Sequence, residues 1–165
     1  MLKPIREFTG MYAFLSNFAP SDISYENIFY PTVEHAFQAA KTLIPSWRLE
    51  IQNTPTPGLA KKLGRRLPMR PDWDVIKVGV MHSLLSLKFQ PNFPLARSLE
   101  ATGMCHLAEG NSWGDTFWGV DQNTGVGHNH LGRLLMFVRE TNRSKDMQRS
   151  GGSYGMRMSE EESHG

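Results

Sequence analysis

The chain has 165 residues, which is enough for one domain with a substantial core. Its 39% hydrophobic and 21% charged residues are typical of a globular protein, and a formal net charge of +2 is too small to require a nucleic-acid or membrane partner. Cys105 is the only cysteine, which excludes an intrachain disulfide and favours a cytoplasmic location. The first residues lack the apolar run of a signal peptide, and no segment approaches the roughly 20 apolar residues of a membrane span, so we expect a soluble protein with no membrane partner.

The first predicted elements are two strands and a helix. Residues 5–8 predict a short strand, and the alternating pattern of residues 24–30 predicts a second. Thr32 is a typical N-cap for a helix over residues 33–43, which Pro45 ends. The chain therefore begins with strands and changes to helices near residue 33.

Helical spacing of apolar residues, together with proline at helix starts and glycine or proline after helix ends, predicts further helices. They cover residues 46–51, 57–64, 71–89, 94–101 and 131–141. The longest carries apolar residues from Val75 to Leu87 at helical spacing and is the best core candidate. Residues 105–108 are predicted to form a strand. The predicted fold class is α+β, a single compact domain that is mostly helical with a few short strands.

The end of the chain differs in composition from the rest. Residues 144–165 are rich in serine, glycine and charged residues, so they have almost nothing to bury. We therefore predict one domain over residues 1–143 and a flexible tail over residues 144–165. A partner-binding segment is the alternative interpretation of this tail.

An aromatic segment at residues 113–119 combines Trp113, Phe117 and Trp118 with Asp115 and two glycines. Flat aromatic surfaces, a backbone that can approach a ligand and a carboxylate in apolar surroundings are typical of a pocket. The alternative is a hydrophobic turn whose tryptophans fill the core. The segment alone does not distinguish the two.

The helix predicted after Thr32 carries a second polar cluster. At about 100° per residue, Glu34, Gln38 and Lys41 share one stripe, while small apolar residues gather on the opposite side. One interpretation is the solvated face of an amphipathic helix. The other is a catalytic group, with Glu34 as a carboxylate that acts as an acid, a base or a stabiliser of positive charge, Lys41 as an ammonium or amine, and Gln38 hydrogen-bonding between them.

Three further segments each have a structural and a functional interpretation. Ser16 and Asn17 suit either a self-stabilised turn or a ligand contact. The basic residues near Lys61 and Arg65 indicate either a solvated helix face or a phosphate-binding site. Glycine-rich residues 125–132 precede a helix, so their amides could bind an anion, but they match neither a Rossmann nor a P-loop motif.

The sequence offers no metal-binding motif. His128 and His130 are two residues apart and no His-Glu-x-x-His motif occurs, so we predict no metal site. Cys105 and His106 would point to opposite faces of a strand, which makes them a poor pair of nucleophile and base. Cys105 is interpreted as a small core residue.

Seven motifs occur in the order and spacing of a known family. They are residues 14–18 (FLSNF), 30–41 (YPTVEHAFQAAK), 60–65 (AKKLGR), 71–74 (PDWD), 88–89 (KF), 113–119 (WGDTFWG) and 127–132 (GHNHLG). In these motifs the chain resembles the YbiA-like proteins, also called the NADAR family after NAD and ADP-ribose. The resemblance covers about residues 5–140, and the joint match is far more specific than any single motif.

The resemblance implies an N-glycosidase that cleaves the bond between ribose C1 and a nitrogen, on a compact α+β domain with many helices. Characterised relatives act on phosphoribosylaminopyrimidine intermediates of riboflavin biosynthesis, and others remove ADP-ribose from guanine bases. The implied partner is therefore a small ribosyl or phosphoribosyl N-glycoside, with ADP-ribosylated nucleic acid as the alternative. No cofactor is implied.

Three residues are predicted to be catalytic: Glu34, Lys41 and Asp115. Breaking a ribosyl C–N bond develops positive charge at C1, which a carboxylate stabilises, and Glu34 is the first choice for that carboxylate with Asp115 the second. An exocyclic ribosylamine can open to an imine, into which the Lys41 amine could exchange as a Schiff base. Burial or a neighbouring cation such as Lys88 would favour the neutral amine that this step needs.

The remaining motif residues are predicted to bind substrate. Trp113 and Trp118 would stack on the base or line the sugar pocket, and Arg65 with Lys61 or Lys62 would hold the phosphate. The predicted substrate-binding set is Ser16, Asn17, Phe18, Tyr30, Gln38, Lys61, Arg65, Lys88, Trp113, Trp118, Gly119 and Asn129.

Two other function classes remain open at this point. One is an ADP-ribose or nucleotide binding module without turnover, and the other is a structural protein whose clusters are only core and surface. Product release from a ribosylaminopyrimidine phosphate distinguishes an enzyme from a binding module. Saturable binding of ADP-ribose or ribose 5-phosphate distinguishes a binding module from a structural protein.

Overall fold

The computed structural model describes the backbone of residues 2–158 and the side chains of residues 2–150. Within this range the chain forms a 3-10 helix, six α-helices and four short strands. These are the 3-10 helix Gly10–Leu15, β1 (Pro20–Tyr25), β2 (Ile28–Thr32), α1 (Val33–Ala40), α2 (Pro45–Gln52), α3 (Pro57–Leu63), α4 (Trp73–Lys88), α5 (Pro94–Ala101), β3 (Gly110–Asn111), β4 (Val120–Asp121) and α6 (His130–Met158). The mostly helical α+β class predicted from the sequence is confirmed.

The strand predicted over residues 24–30 is wrong, because this segment contains a turn. β1 and β2 pair antiparallel, with Tyr25 opposite Ile28, so the chain reverses between them. Glu26 and Asn27 have φ of 50° and 63°, the left-handed backbone that a tight two-residue hairpin turn requires. Polar residues adopt this conformation more readily than apolar ones, which explains their place in the turn.

The other two predicted strands reduce to one backbone bridge. Ile5 pairs parallel with Leu107, but neither residues 5–8 nor residues 105–108 form a full strand. The structure instead pairs β3 with β4 in parallel, with Gly110 opposite Val120. These two-residue strands were not predicted, since they are too short to show an alternating pattern.

Helix α1 lies at the centre of the fold. It packs against α2, α3, α4 and the β1–β2 hairpin, and all eight of its residues are buried. Thr32 caps it as predicted, because its side chain accepts a hydrogen bond from the His35 amide. The solvated-face interpretation is wrong for the first part of its polar stripe, since Glu34 and Gln38 are only 6% and 3% exposed.

Helices α2 to α5 lie close to their predicted ranges, and α4 supplies core residues such as Met81, Leu84 and Leu85. One predicted core position on α4 is wrong: Val75 is 86% exposed, and the neighbouring Trp73 is buried in its place. The first turn of α4 therefore contacts the core through an aromatic ring that the aliphatic pattern did not include.

Helix α6 continues to Met158, so the end predicted near Thr141 is wrong. The sequence has no proline after Pro94 to stop it. Asn142 and Arg143 still contact the domain, through the carbonyls of Phe89 and Gly103. Residues 144–150 are exposed. The flexible tail over residues 144–165 stays a prediction, and residues 159–165 lie outside the described range.

Among the described residues, no helix combines the length and the apolar character needed to cross a bilayer.

Candidate active site

A cavity of about 280 Å³ opens beside α1, between the loop after the 3-10 helix, helices α3 and α4, and the aromatic segment 113–118. Its lining residues are Ser16, Asn17, Phe18, Glu34, Phe37, Gln38, Lys41, Lys61, Met81, Glu109, Trp113, Asp115 and Trp118. All three predicted catalytic residues line it. The helical and aromatic motifs, which lie more than 70 residues apart in the chain, therefore meet at one cavity.

Glu34 is a buried carboxylate in the first turn of α1. Its backbone amide donates to the Asn17 carbonyl at 3.0 Å, which joins the helix to the loop on the cavity edge. The Gln38 amide donates to its Oε1 at 2.7 Å. Burial raises the pKa of Glu34, while the Gln38 hydrogen bond and the charges of Lys61 and Lys41 act against this shift. The site thus holds a desolvated carboxylate with partners that favour its ionised form.

Lys41 follows the last turn of α1 and lines the same cavity. Burial lowers the pKa of its amine, and the positive charges of Lys61 and Arg65 lower it further, against the opposing effect of Glu34. Its Nζ lies 6.0 Å from the centre of the Phe37 ring. The cations that disfavour its protonation are thus Lys61, Arg65 and Lys77 rather than the predicted Lys88.

Asp115 organises the aromatic segment. Its Oδ1 accepts hydrogen bonds from the amides of Phe117 and Trp118 at 3.2 and 2.8 Å, which closes the turn. Trp113 is 67% exposed and Trp118 is half-buried against Phe37, with ring centres 5.3 Å apart. Trp113 thus lies outside the core and Trp118 packs against its edge, so the interpretation as a core-filling turn is wrong for Trp113 and holds only in part for Trp118.

Five predicted substrate-binding residues do not line the cavity: Tyr30, Arg65, Lys88, Gly119 and Asn129. Tyr30 is 1% exposed and belongs to the hydrophobic core. Arg65 is exposed and acts on the site only through its charge near Lys41. The sequence motif could not separate these residues from the lining, because neighbours in a motif often point to different sides of the backbone.

Lys88 is a buried amine that holds a loop of the cavity wall and does not line the cavity itself. It is 3% exposed, and its Nζ donates to the Ser16 carbonyl at 2.7 Å. Burial lowers its pKa to about 7. Lys88 therefore holds the Ser16–Phe18 loop rather than facing the cavity itself.

Gly119 and Asn129 contact the backbone near residue 109. A Cβ on Gly119 would lie 2.2 Å from the Glu109 carbonyl oxygen, so only glycine permits this approach. The Asn129 side chain accepts from the Glu109 amide at 3.2 Å and donates to the Leu107 carbonyl at 2.9 Å. These two motif residues fix the segment that carries Glu109.

Sequence reasoning missed three of the lining residues, Phe37, Met81 and Glu109, and of these Glu109 is the ionisable one. Its side chain lines the cavity with Glu34 and Asp115, and burial, reinforced by the negative charge of Asp115, raises its pKa to about 7. The available signal was a single carboxylate that follows the predicted strand at 105–108 and precedes the aromatic segment. No periodic pattern marks such a residue.

The glycine-rich segment lines a different and larger cavity. This groove of about 510 Å³ lies beside Gly125, Gly127 and His128, with Arg6 and Arg133 on its walls. Within the described residues, no three His, Cys, Asp or Glu side chains come together as a metal site would require.

Comparison with known proteins agrees with the motif resemblance. A family model described as the NADAR domain matches residues 3–143. N-glycosidase YbiA of Escherichia coli (strain K12) is 39% identical over 131 residues, which cover 78% of this chain and 81% of that protein. A riboflavin biosynthesis protein of Vibrio vulnificus (strain YJ016) is also 39% identical over 131 residues, although these cover only 35% of its length.

The fold is shared as well. The NMR structure of the E. coli protein YbiA matches with a TM-score of 0.75 and 35% sequence identity, and the match covers 89% of each chain. The match to the family model spans nearly the whole predicted domain, and two relatives that match over most of their own length are named N-glycosidases. The chain is therefore an N-glycosidase of the NADAR family.

Proposed function

We propose that the chain hydrolyses the ribose C1–N bond of phosphoribosylaminopyrimidine intermediates of riboflavin biosynthesis. The observation that carries this proposal is one cavity that joins the buried carboxylate of Glu34 to the amine of Lys41 and the exposed ring of Trp113. A relative named as a riboflavin biosynthesis protein supports the substrate class.

Glu34 is assigned as the carboxylate that stabilises positive charge on C1. A buried carboxylate acts strongly on a developing cation, because little water screens the interaction. Glu34 suits this role better than Asp115, since the Asp115 Oδ1 is already engaged by two backbone amides of its own turn. Asp115 is assigned to holding the aromatic segment at the cavity.

Lys41 is assigned as the nucleophile at C1. Its lowered pKa increases the fraction of neutral amine, which is the form that attacks carbon. A ribosylamine with an exocyclic nitrogen opens to an imine, and exchange with Lys41 places the sugar on the enzyme until water releases it. Glu34 and Lys41 lie two helical turns apart on the same face of α1, so both reach one ligand.

Phosphate and base are assigned to the rim of the cavity. Lys61 lines the cavity, with its Nζ 5.8 Å from the centre of the Phe18 ring, and Arg65 adds positive charge nearby. Trp113 and Trp118 provide flat surfaces for the pyrimidine. At about 280 Å³ the cavity is close to the lower end of the range of roughly 300–1,000 Å³ typical of small-molecule sites, which fits a mononucleotide-sized ligand.

The test is to incubate the purified protein with a phosphoribosylaminopyrimidine and, separately, with nucleic acid carrying ADP-ribosylated guanine. We expect release of ribose 5-phosphate from the first. Release of ADP-ribose alone would replace the proposed substrate with the alternative one. Saturable binding of ribose 5-phosphate without turnover of either substrate would indicate a binding module.

A further inference from the structure

We propose that Glu109 is the acid that protonates the leaving nitrogen when the ribose C1–N bond breaks. This assignment rests on the N-glycosidase function proposed above and deepens it, because it names the source of the proton. Glu109 stands outside the seven motifs, between the KF motif and the aromatic segment.

The chemistry requires such a donor. An aminopyrimidine nitrogen leaves as a poor anion, so proton delivery to that nitrogen lowers the barrier. As the C1–N bond breaks, its electron pair goes to nitrogen, and the Glu109 carboxyl transfers its proton to the same atom. The nucleophile that attacks C1, whether Lys41 or water, gives up a proton to Glu34. One water is consumed per turnover, and proton exchange between Glu34, solvent and Glu109 restores the starting state.

The backbone presents Glu109 to the cavity and its neighbours to the other side. Glu109 lines the cavity with Glu34, whereas Ala108 and Gly110 line the larger groove beside Arg6. This is the alternation of an extended segment, in which successive residues face opposite sides. The Glu109 side chain is therefore directed at the same space as the Glu34 carboxylate.

Four contacts fix this segment in place. The Glu109 amide donates to the Asn129 side chain at 3.2 Å, and its carbonyl accepts from the Val120 amide at 2.9 Å. Gly119 and Gly132 close the packing, since a Cβ on either would lie 2.2 Å from a carbonyl oxygen, of Glu109 and Leu107 respectively. The glycines of both C-terminal motifs thus hold the backbone that carries Glu109. A fixed proton donor needs such a frame.

The charges around the two glutamates divide their roles. Glu109 faces Asp115 from the aromatic segment, Glu34 from α1 and Lys61 from α3, and of these only Lys61 favours its ionised form. Burial and the two carboxylates hold its pKa at about 7, so a large fraction stays protonated at neutral pH. For Glu34, the Gln38 hydrogen bond and two lysines favour the ionised form, against burial and the charge of Asp115. These different neighbours assign Glu109 as the acid and Glu34 as the base of the pair.

The test is the pH dependence of kcat between pH 5 and 9, with a phosphoribosylaminopyrimidine as substrate. Loss of the Glu109 proton as pH rises through about 7 should lower the wild-type rate, and this fall opposes the rise that deprotonation of the Lys41 amine brings to wild type and variant alike. Glu109→Gln should lower kcat by roughly 10²-fold or more at pH 6, leave KM nearly unchanged and abolish the fall at alkaline pH. Glu50→Gln, which removes an exposed carboxylate, is the matched control and should keep the wild-type profile.

A second variant covers the case in which Glu109→Gln does not fold. Glu109→Asp keeps the titrating carboxyl on a shorter arm, so it should retain the alkaline fall at a reduced kcat. A folded Glu109→Gln with a kcat within a few-fold of wild type and the alkaline fall intact would overturn the assignment. An Asp variant that is active without the alkaline fall would do the same. Wild-type protein with no hydrolysis at any pH would instead refute the proposed function, and the role of Glu109 with it.

Discussion

Replacing Lys88 with methionine should stabilise the protein at neutral pH, and the gain should shrink as pH rises. The ammonium is buried, which lowers its pKa from 10.5 to about 7. Between these values the unfolded chain binds more protons than the folded one, so wild-type stability rises with pH across this window. Methionine has a similar shape and no charge, and it removes this dependence.

The magnitude follows from the shift. A difference of about 3.5 pKa units at about 1.4 kcal/mol per unit corresponds to a cost of about 4 kcal/mol at pH 7.5 and about 2 kcal/mol at pH 9.0. The variant loses the hydrogen bond to the Ser16 carbonyl, worth about 1 kcal/mol, but that oxygen keeps the Ala19 amide at 3.2 Å. Lys88→Met should therefore be more stable than wild type by about 3 kcal/mol at pH 7.5 and about 1 kcal/mol at pH 9.0.

Urea unfolding at four pH values from 7.5 to 9.0 measures this difference directly. Lys62→Met, which removes an exposed lysine on α3, is the matched control and should show no such trend. A difference between Lys88→Met and wild type that stays constant over this range would refute the reasoning. It would mean that Lys88 stays charged in the folded protein.

The remaining predictions concern the site and the tail. Glu34→Gln should lower kcat at least about 10²-fold, because it removes the carboxylate charge. The melting temperature should not fall, since Gln38 Oε1, which has no hydrogen-bond partner among the described residues, offers the new amide an acceptor. Wild-type kcat in the folded variant would remove Glu34 from the mechanism. Borohydride during turnover should trap the sugar on Lys41, and Lys41→Arg should be nearly inactive, whereas an active Arg variant with no trapped adduct would leave Lys41 an electrostatic role. Truncation after Arg143 should leave melting temperature and activity near wild type, and a large fall in melting temperature would show that the removed residues dock on the domain.

Helix α1 illustrates what the sequence predicts and what it does not. The Thr32 cap and the common face of Glu34 and Gln38 follow from spacing and local hydrogen bonding, and both are present in the structure. The burial of that face is not predictable in this way, because a solvated stripe and a cavity wall have the same period of 3.6 residues. Burial depends on α3 and the loop near Asn17, which are distant in sequence.

In the strand region, the sequence did not predict even the elements that form. β3 and β4 are two residues each, and their pairing brings Gly110 to Val120 across a connection that contains the whole aromatic segment. Such a pairing leaves no local pattern, so Glu109 could be located only through the fold. The glycine motifs were visible in the sequence, but their function as close backbone contacts was not.

Besides Lys41, three ionisable groups lie in or next to the site in positions where charge is costly. Glu34, Lys88 and Glu109 all have pKa values shifted by burial toward their neutral forms. Apolar residues at these places would give a more stable protein, so a set of three buried near one cavity points to function rather than packing. The three also differ in what surrounds them: Glu34 has cations and an amide, Glu109 faces carboxylates, and Lys88 donates to a backbone carbonyl. Substitution of each group should therefore have its own signature: Glu34→Gln lowers kcat, Glu109→Gln lowers kcat and also abolishes the alkaline fall of the rate, and Lys88→Met changes the stability.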